Sequence, residues 1–113
     1  MATWATVKSI GKKIPEVEEG QWYGTPSLKV RNKSFVRLKE RGVIVVCVDL
    51  DEKEALLQAE PDVFFTTPHY DGYPAFLIRL ANIDRDELEE MLIESWRRVA
   101  PKRLLKAFDA DDV

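Results

Sequence analysis

The chain holds a single cysteine, a single histidine and no charge-free apolar run longer than Val43–Val48. Each scarcity removes a class of function. One cysteine cannot close an internal disulfide, and Cys47 sits inside that apolar run, where a small buried residue is expected. Such cysteine usage fits a reducing cytoplasm. The lone His69 has no companion donors, whereas a zinc site needs three or four Cys, His or carboxylate ligands. As a catalytic group it would need a nucleophile within reach, and no serine or cysteine stands in a nucleophile motif. Neither catalysis, nor a metal, nor a cofactor is therefore expected. A membrane helix needs about 20 consecutive apolar residues, far more than the chain offers. Met1–Lys13 lack the uninterrupted apolar stretch of a signal peptide, so a soluble, non-membrane protein is expected.

What remains suits a globular domain. The 113 residues are 45% hydrophobic and 33% charged, which fits one domain spanning residues 1–113. The formal charge is −3, but it is unevenly spread. Residues 1–50 carry nine Lys and Arg against five Asp and Glu, while residues 51–113 carry eight against fifteen. Nucleic-acid binders are usually basic overall, so any such function must rest on a local patch in the first half.

The order of elements follows from periodicity and punctuation. Thr3 is placed to cap a helix reaching to about Ile14, with Trp4, Val7, Ile10, Gly11 and Ile14 on one side and Pro15 as its stop. Val17–Tyr23 reads as a short edge strand, followed by a turn at Gly24-Thr25-Pro26. Leu28–Val30 and Ser34–Leu38 alternate as strands around a tight turn at Arg31-Asn32-Lys33, since Asn tolerates positive φ. Alternation sets Val36 and Leu38 on one face and Phe35, Arg37 and Lys39 on the other. After Glu40-Arg41-Gly42, the β-branched run Val43–Leu50 reads as a central strand. Asp51 and Glu54 have capping-box spacing for a short helix to Ala59, with Ala55, Leu56 and Ala59 inward. Two strands, Val63–Thr66 and Ala75–Leu80, flank a loop. Asp84 and Glu87 then open the longest helix, Arg85 to Val99, with Leu88, Met91, Leu92, Ser95 or Trp96, and Val99 as its apolar stripe. A final helix over Lys102–Phe108 precedes an acidic, loose tail at Asp109–Val113. The fold class is α+β: a two-layer sandwich whose antiparallel sheet has about five to six strands, with N- and C-terminal helices on one face.

Two candidate sites emerge. Lys29, Arg31, Lys33, Arg37 and Lys39 gather on the central hairpin, where they would suit phosphate oxygens or merely protect a sheet edge. The loop Pro68-His69-Tyr70-Asp71-Gly72-Tyr73-Pro74 sets tyrosines either side of a turn dipeptide, able to stack on a base or planar ligand or to clamp the turn. The later run Arg97, Arg98, Lys102, Arg103 and Lys106 is better explained as compensation of the helix dipole.

Four segments together resemble the MmcQ/YjbR family: Ile14–Glu19; Leu28–Val30 with Lys33-Ser34-Phe35; Thr67–Pro74; and Ser95–Arg103. The likeness runs from about Ile10 to Asp109. It implies a CyaY-like (frataxin-like) fold and DNA binding through wings, here the Leu28–Leu38 hairpin and the loop with His69, Tyr70 and Tyr73. Frataxins bind iron, but the first helix here carries lysines instead of an acidic ridge, so no iron site is expected. The expected function is a non-enzymatic DNA-binding module, monomeric or weakly dimeric. The alternative is a protein-interaction or small-ligand domain that uses the His69–Tyr73 loop beside Trp96.

Overall fold

The computed structural model describes residues 2–111. Helix α1 (Trp4–Gly11) leads into strands β1 (Val17–Trp22), β2 (Thr25–Val30), β3 (Lys33–Glu40) and β4 (Val43–Cys47). Helix α2 (Leu50–Ala59) and β5 (Phe64–Phe65) follow, then β6 (Ala75–Arg79) and helices α3 (Arg85–Val99) and α4 (Lys102–Asp111). The strands form one antiparallel sheet in the order β1-β2-β3-β4-β6-β5. The α+β sandwich expected from the sequence is what forms.

Short turns hold the meander together. Tyr23-Gly24 and Arg31-Asn32 both take positive φ at both positions, the backbone of the hairpin turn whose twist matches the strands. Tyr23 and Arg31 occupy places where Asn, Asp or Gly is usual, so each carries some backbone strain. Gly11 ends α1 against β2. A Cβ there would stand 2.7 Å from Leu28 Cδ1, so a larger residue fits only if the buried Leu28 side chain shifts.

The helix-covered face holds the main core, with Val7 and Ile10 of α1 and Leu88, Leu92 and Trp96 of α3 against Leu28, Val36, Ile44, Val46, Phe76 and Ile78. Leu104 of α4 joins this core, and Phe108 meets Trp96 edge to face at 5.2 Å. The opposite face carries a smaller cluster of Val45, Ala75 and Leu77 under Tyr70, with Val43 and Phe65 at its margin. Across this second face the ladder lines up Ser27, Arg37, Val45, Leu77 and Phe65.

Several expectations need correction. A bulge makes Leu28 pair with Val36 and Lys29 with Ser34, leaving Phe35 unmatched on β2. The extra residue turns Phe35 into the main core beside Val36, where Ser95 Oγ donates to its carbonyl at 2.8 Å. Helix α1 ends at Gly11, and the chain continues through tighter turns, Lys13 N–H donating to the Ile10 carbonyl and Ile14 N–H to that of Gly11. Asp49, not Asp51, precedes α2, because β4 stops at Cys47 and the chain turns earlier than the apolar run implies. Ala55 and Ala59 are exposed, whereas Lys53 is buried. The expected loose tail is helical through Asp111, since Asp109 binds Arg97 at 2.8 Å; Asp112 and Val113 lie outside the described residues. Asp84, by contrast, caps α3 as expected, accepting from the Glu87 N–H at 2.8 Å. No helix among the described residues is long and apolar enough to cross a membrane.

Candidate functional site: an aromatic pocket on the open sheet face

The loop between β5 and β6 folds back over the sheet face that the helices leave uncovered. Pro68–Tyr70 form one turn of 3-10 helix, Tyr70 and Asp71 N–H groups both donating to the Thr67 carbonyl. Gly72, at φ +80°, lets the chain reverse toward β6. This geometry lowers the Tyr70 ring onto Val45 and Leu77 while His69 and Tyr73 stay exposed. Val45 and Leu77 supply the apolar bed because period-2 alternation turns them away from the main core.

Two buried cations fasten the loop. The Arg37 guanidinium donates from Nη2 to the Tyr70 hydroxyl at 2.6 Å and from Nη1 to Thr25 Oγ1 at 3.2 Å. Its buried Nε has no hydrogen-bond partner among the described residues. From α2, Lys53 Nζ donates to the carbonyls of Tyr70 at 2.7 Å and Tyr73 at 2.9 Å. Burial pushes the Lys53 pKa down, and Asp71 opposes that with its charge.

The first hairpin closes the other side. Trp22 and Tyr23 stack at 5.4 Å, and the Tyr23 ring lies 5.5 Å from the Arg37 guanidinium carbon. Between this pair and the loop lies a cavity of about 280 Å³. Its walls are the rings of Trp22, Tyr23, His69, Tyr70 and Tyr73, with Cys47, Pro74 and Ala75 completing the lining. His69 meets Tyr70 edge to face at 4.7 Å and runs nearly parallel to Tyr73 at 6.4 Å. Burial pushes the Cys47 thiol up, so it is a poor nucleophile at neutral pH.

The residues singled out in the sequence are therefore divided. His69, Tyr70 and Tyr73 converge as one site. Trp96 does not join them. It is fully buried on the other side of the sheet, its Nε1 donating to the Pro15 carbonyl at 3.2 Å. The helical stripe that made α3 legible turns this residue inward. Its place in the pocket is taken by Trp22, which lay in a segment read only as an edge strand.

The hairpin cations do not form one patch either. Arg31 is bound by Glu16 through both carboxylate oxygens, at 2.6 and 3.1 Å, which holds the Glu16 carboxyl below its usual range. Lys39 pairs with Glu40 at 3.7 Å. Lys29 stands opposite Glu18 in the ladder and lies over Gly20. Arg37 is buried under Tyr70, and Lys33 is exposed at the β2–β3 turn. Among the described residues no group of three or more His, Cys, Asp or Glu side chains could hold a metal ion.

The YjbR family model matches residues 12–98, a span that includes the whole sheet, the loop and most of α3. The chain belongs to the YjbR family. Uncharacterised proteins of Mycobacterium bovis and Mycobacterium tuberculosis are each 49% identical to this YjbR chain over 76 residues. That alignment covers 67% of this chain and 52% of each relative, so the chain spans about half the length of the curated relatives it matches. A crystal structure of a Deinococcus radiodurans protein, whose domain is described as DUF419, superposes with a TM-score of 0.70 at 21% identity. It covers 85% of this chain and 77% of that one, a likeness of fold.

Proposed function

We propose that this YjbR domain is a non-enzymatic binding module that takes up a planar ring in the aromatic pocket between the β1–β2 turn and the His69–Tyr73 loop. The convergence of five rings on one cavity of about 280 Å³ carries the reading. Stacking of a flat ligand on such rings contributes about 1–3 kcal/mol per ring face engaged. Concave, mostly apolar sites with a few polar groups are where small ligands bind. Two surroundings support binding rather than catalysis: His69 has rings as its neighbours, and the Cys47 thiol is held protonated by burial.

DNA binding on the β2–β3 hairpin is the second reading. Its support is the exposure of Lys33 at the tip together with Arg31, which is 44% exposed although bound to Glu16. Amide chemical-shift mapping separates the two. Titration with planar heteroaromatic fragments should move Trp22, Tyr23, His69 and Tyr73. Duplex DNA on the hairpin would instead move residues 29–34, with an affinity that falls steeply with salt. Failure of every planar fragment to shift the pocket amides at about 1 mM, a weak limit for a real site, would sink the pocket reading.

A further inference from the structure

Arg37 and Lys53 share an unusual condition. They are 9% and 5% exposed, yet among the described residues neither has a carboxylate within ion-pair distance. All the acceptors they use are neutral: a threonine hydroxyl, a phenol and two backbone carbonyls. Among the described residues one buried N–H of Arg37 has no acceptor. A buried charge is normally paired, because its lost hydration is otherwise poorly repaid. Here two like charges stand behind the same pocket wall, each bound to a residue that lines it. Asp71 acts on Lys53 from beyond ion-pair range and is itself exposed, where water screens it.

We infer that the pocket selects planar ligands bearing a negative charge, such as an aromatic carboxylate or a nucleobase carrying a phosphate, with Arg37 and Lys53 supplying the attraction from behind the ring-lined wall. The inference rests on the pocket being the binding site. Fixed cations held behind a low-dielectric wall extend their field into the cavity on its other side. The rings hold the flat part of the ligand, and the field decides its charge. Neither cation needs to touch the ligand, so the selectivity is one of charge more than of shape.

The test uses matched pairs on the unaltered protein, by isothermal titration. Adenosine 5′-monophosphate is compared with adenosine, and indole-3-acetate with indole-3-acetamide, so that the two pairs distinguish a nucleotide from an aromatic acid. The anionic member of at least one pair should bind about tenfold more tightly, the size expected of partly screened charges several ångströms away. That advantage should shrink between about 0.05 M and about 0.5 M salt. It should also fall in Lys53→Met or Arg37→Met, whichever retains the native fold by circular dichroism. Equal binding within both pairs would leave the pocket reading standing and overturn the charge selection. No binding by any of the four would overturn both. Charge preference that survives in both variants would likewise overturn it, since the cations named would not be its source. Should neither variant fold, the pairs on the unaltered protein still decide.

Discussion

The Tyr70→Phe substitution isolates the bond on which the pocket depends. It removes one oxygen, keeps the ring on Val45 and Leu77, and deprives Arg37 Nη2 of its acceptor at 2.6 Å. Among the described residues the guanidinium would then keep a single side-chain hydrogen bond, to Thr25 at 3.2 Å, with Nε already lacking one. Hydrogen bonds to charged groups contribute about 1.5–3 kcal/mol, and a buried charged donor left unsatisfied lies at the upper end, so about 2.5 kcal/mol is expected. A chain of 113 residues has an unfolding entropy near 0.24 kcal/mol per kelvin, which converts that loss to about 10 °C in Tm. Urea unfolding should show a lower midpoint with an unchanged slope, because the substitution alters neither the core nor the surface exposed on unfolding. A double-mutant cycle then separates the bond from incidental effects. Arg37→Met in the Tyr70→Phe background removes the stranded charge and should recover most of the loss, giving a coupling of about 2 kcal/mol. A drop in Tm below about 2 °C would refute the reasoning: it would mean that water reaches Arg37 in the native protein and that the loop does not close over the sheet.

Two further outcomes test other parts of the fold. Burial, a hydrogen bond with Glu60 and the charges of Glu60, Asp84 and Glu90 raise the Glu87 pKa to about 7. A raised carboxyl pKa favours the folded state while the group is protonated, so this stabilisation is complete below pH 4.5 and is lost as pH rises through 7. Thermal scans should show the parent losing stability from about pH 5 to pH 8 and Glu87→Gln losing less; equally steep curves would remove Glu87 as the cause. Ser95→Ala deletes the buried hydroxyl that donates to the carbonyl of Phe35 and should cost about 1–3 kcal/mol in urea unfolding. A change under about 0.5 kcal/mol would show that α3 does not depend on that bond to hold the bulge.

Much of the fold was legible because its signals are local. Asp84 caps α3 three residues before the N–H it serves, and the α3 stripe repeats at helical spacing through Leu88, Leu92 and Trp96. The positive-φ turn at Asn32 announces itself by residue type. Where those signals misled, a neighbour distant in the chain had prevailed. The bulge that turns Phe35 inward is stabilised from Ser95, sixty residues on. The tail became helix because Asp109 finds Arg97, twelve residues back. Trp96 looked available beside the loop only because sequence does not say which side of a sheet a helix covers.

The site was half legible for a related reason. Alternation correctly turned Arg37 away from the helices, and on an open sheet that face meets water, where an arginine suits a phosphate. Here the face is roofed by a loop thirty-three residues further on. A net-charge count treats Arg31, Arg37, Lys53 and Arg97 alike, but folding separates them by what they find. Arg31 and Arg97 lie at the surface with Glu16 and Asp109, and their charge is largely spent on those acids. Arg37 and Lys53 are buried against neutral oxygens, and among the described residues neither has a carboxylate within ion-pair distance, so their charge is offset only weakly, by the exposed Asp71. The cations proposed to select a ligand are thus the two least exposed, one of them in the acidic half of the chain, where a search for a basic patch passes over it.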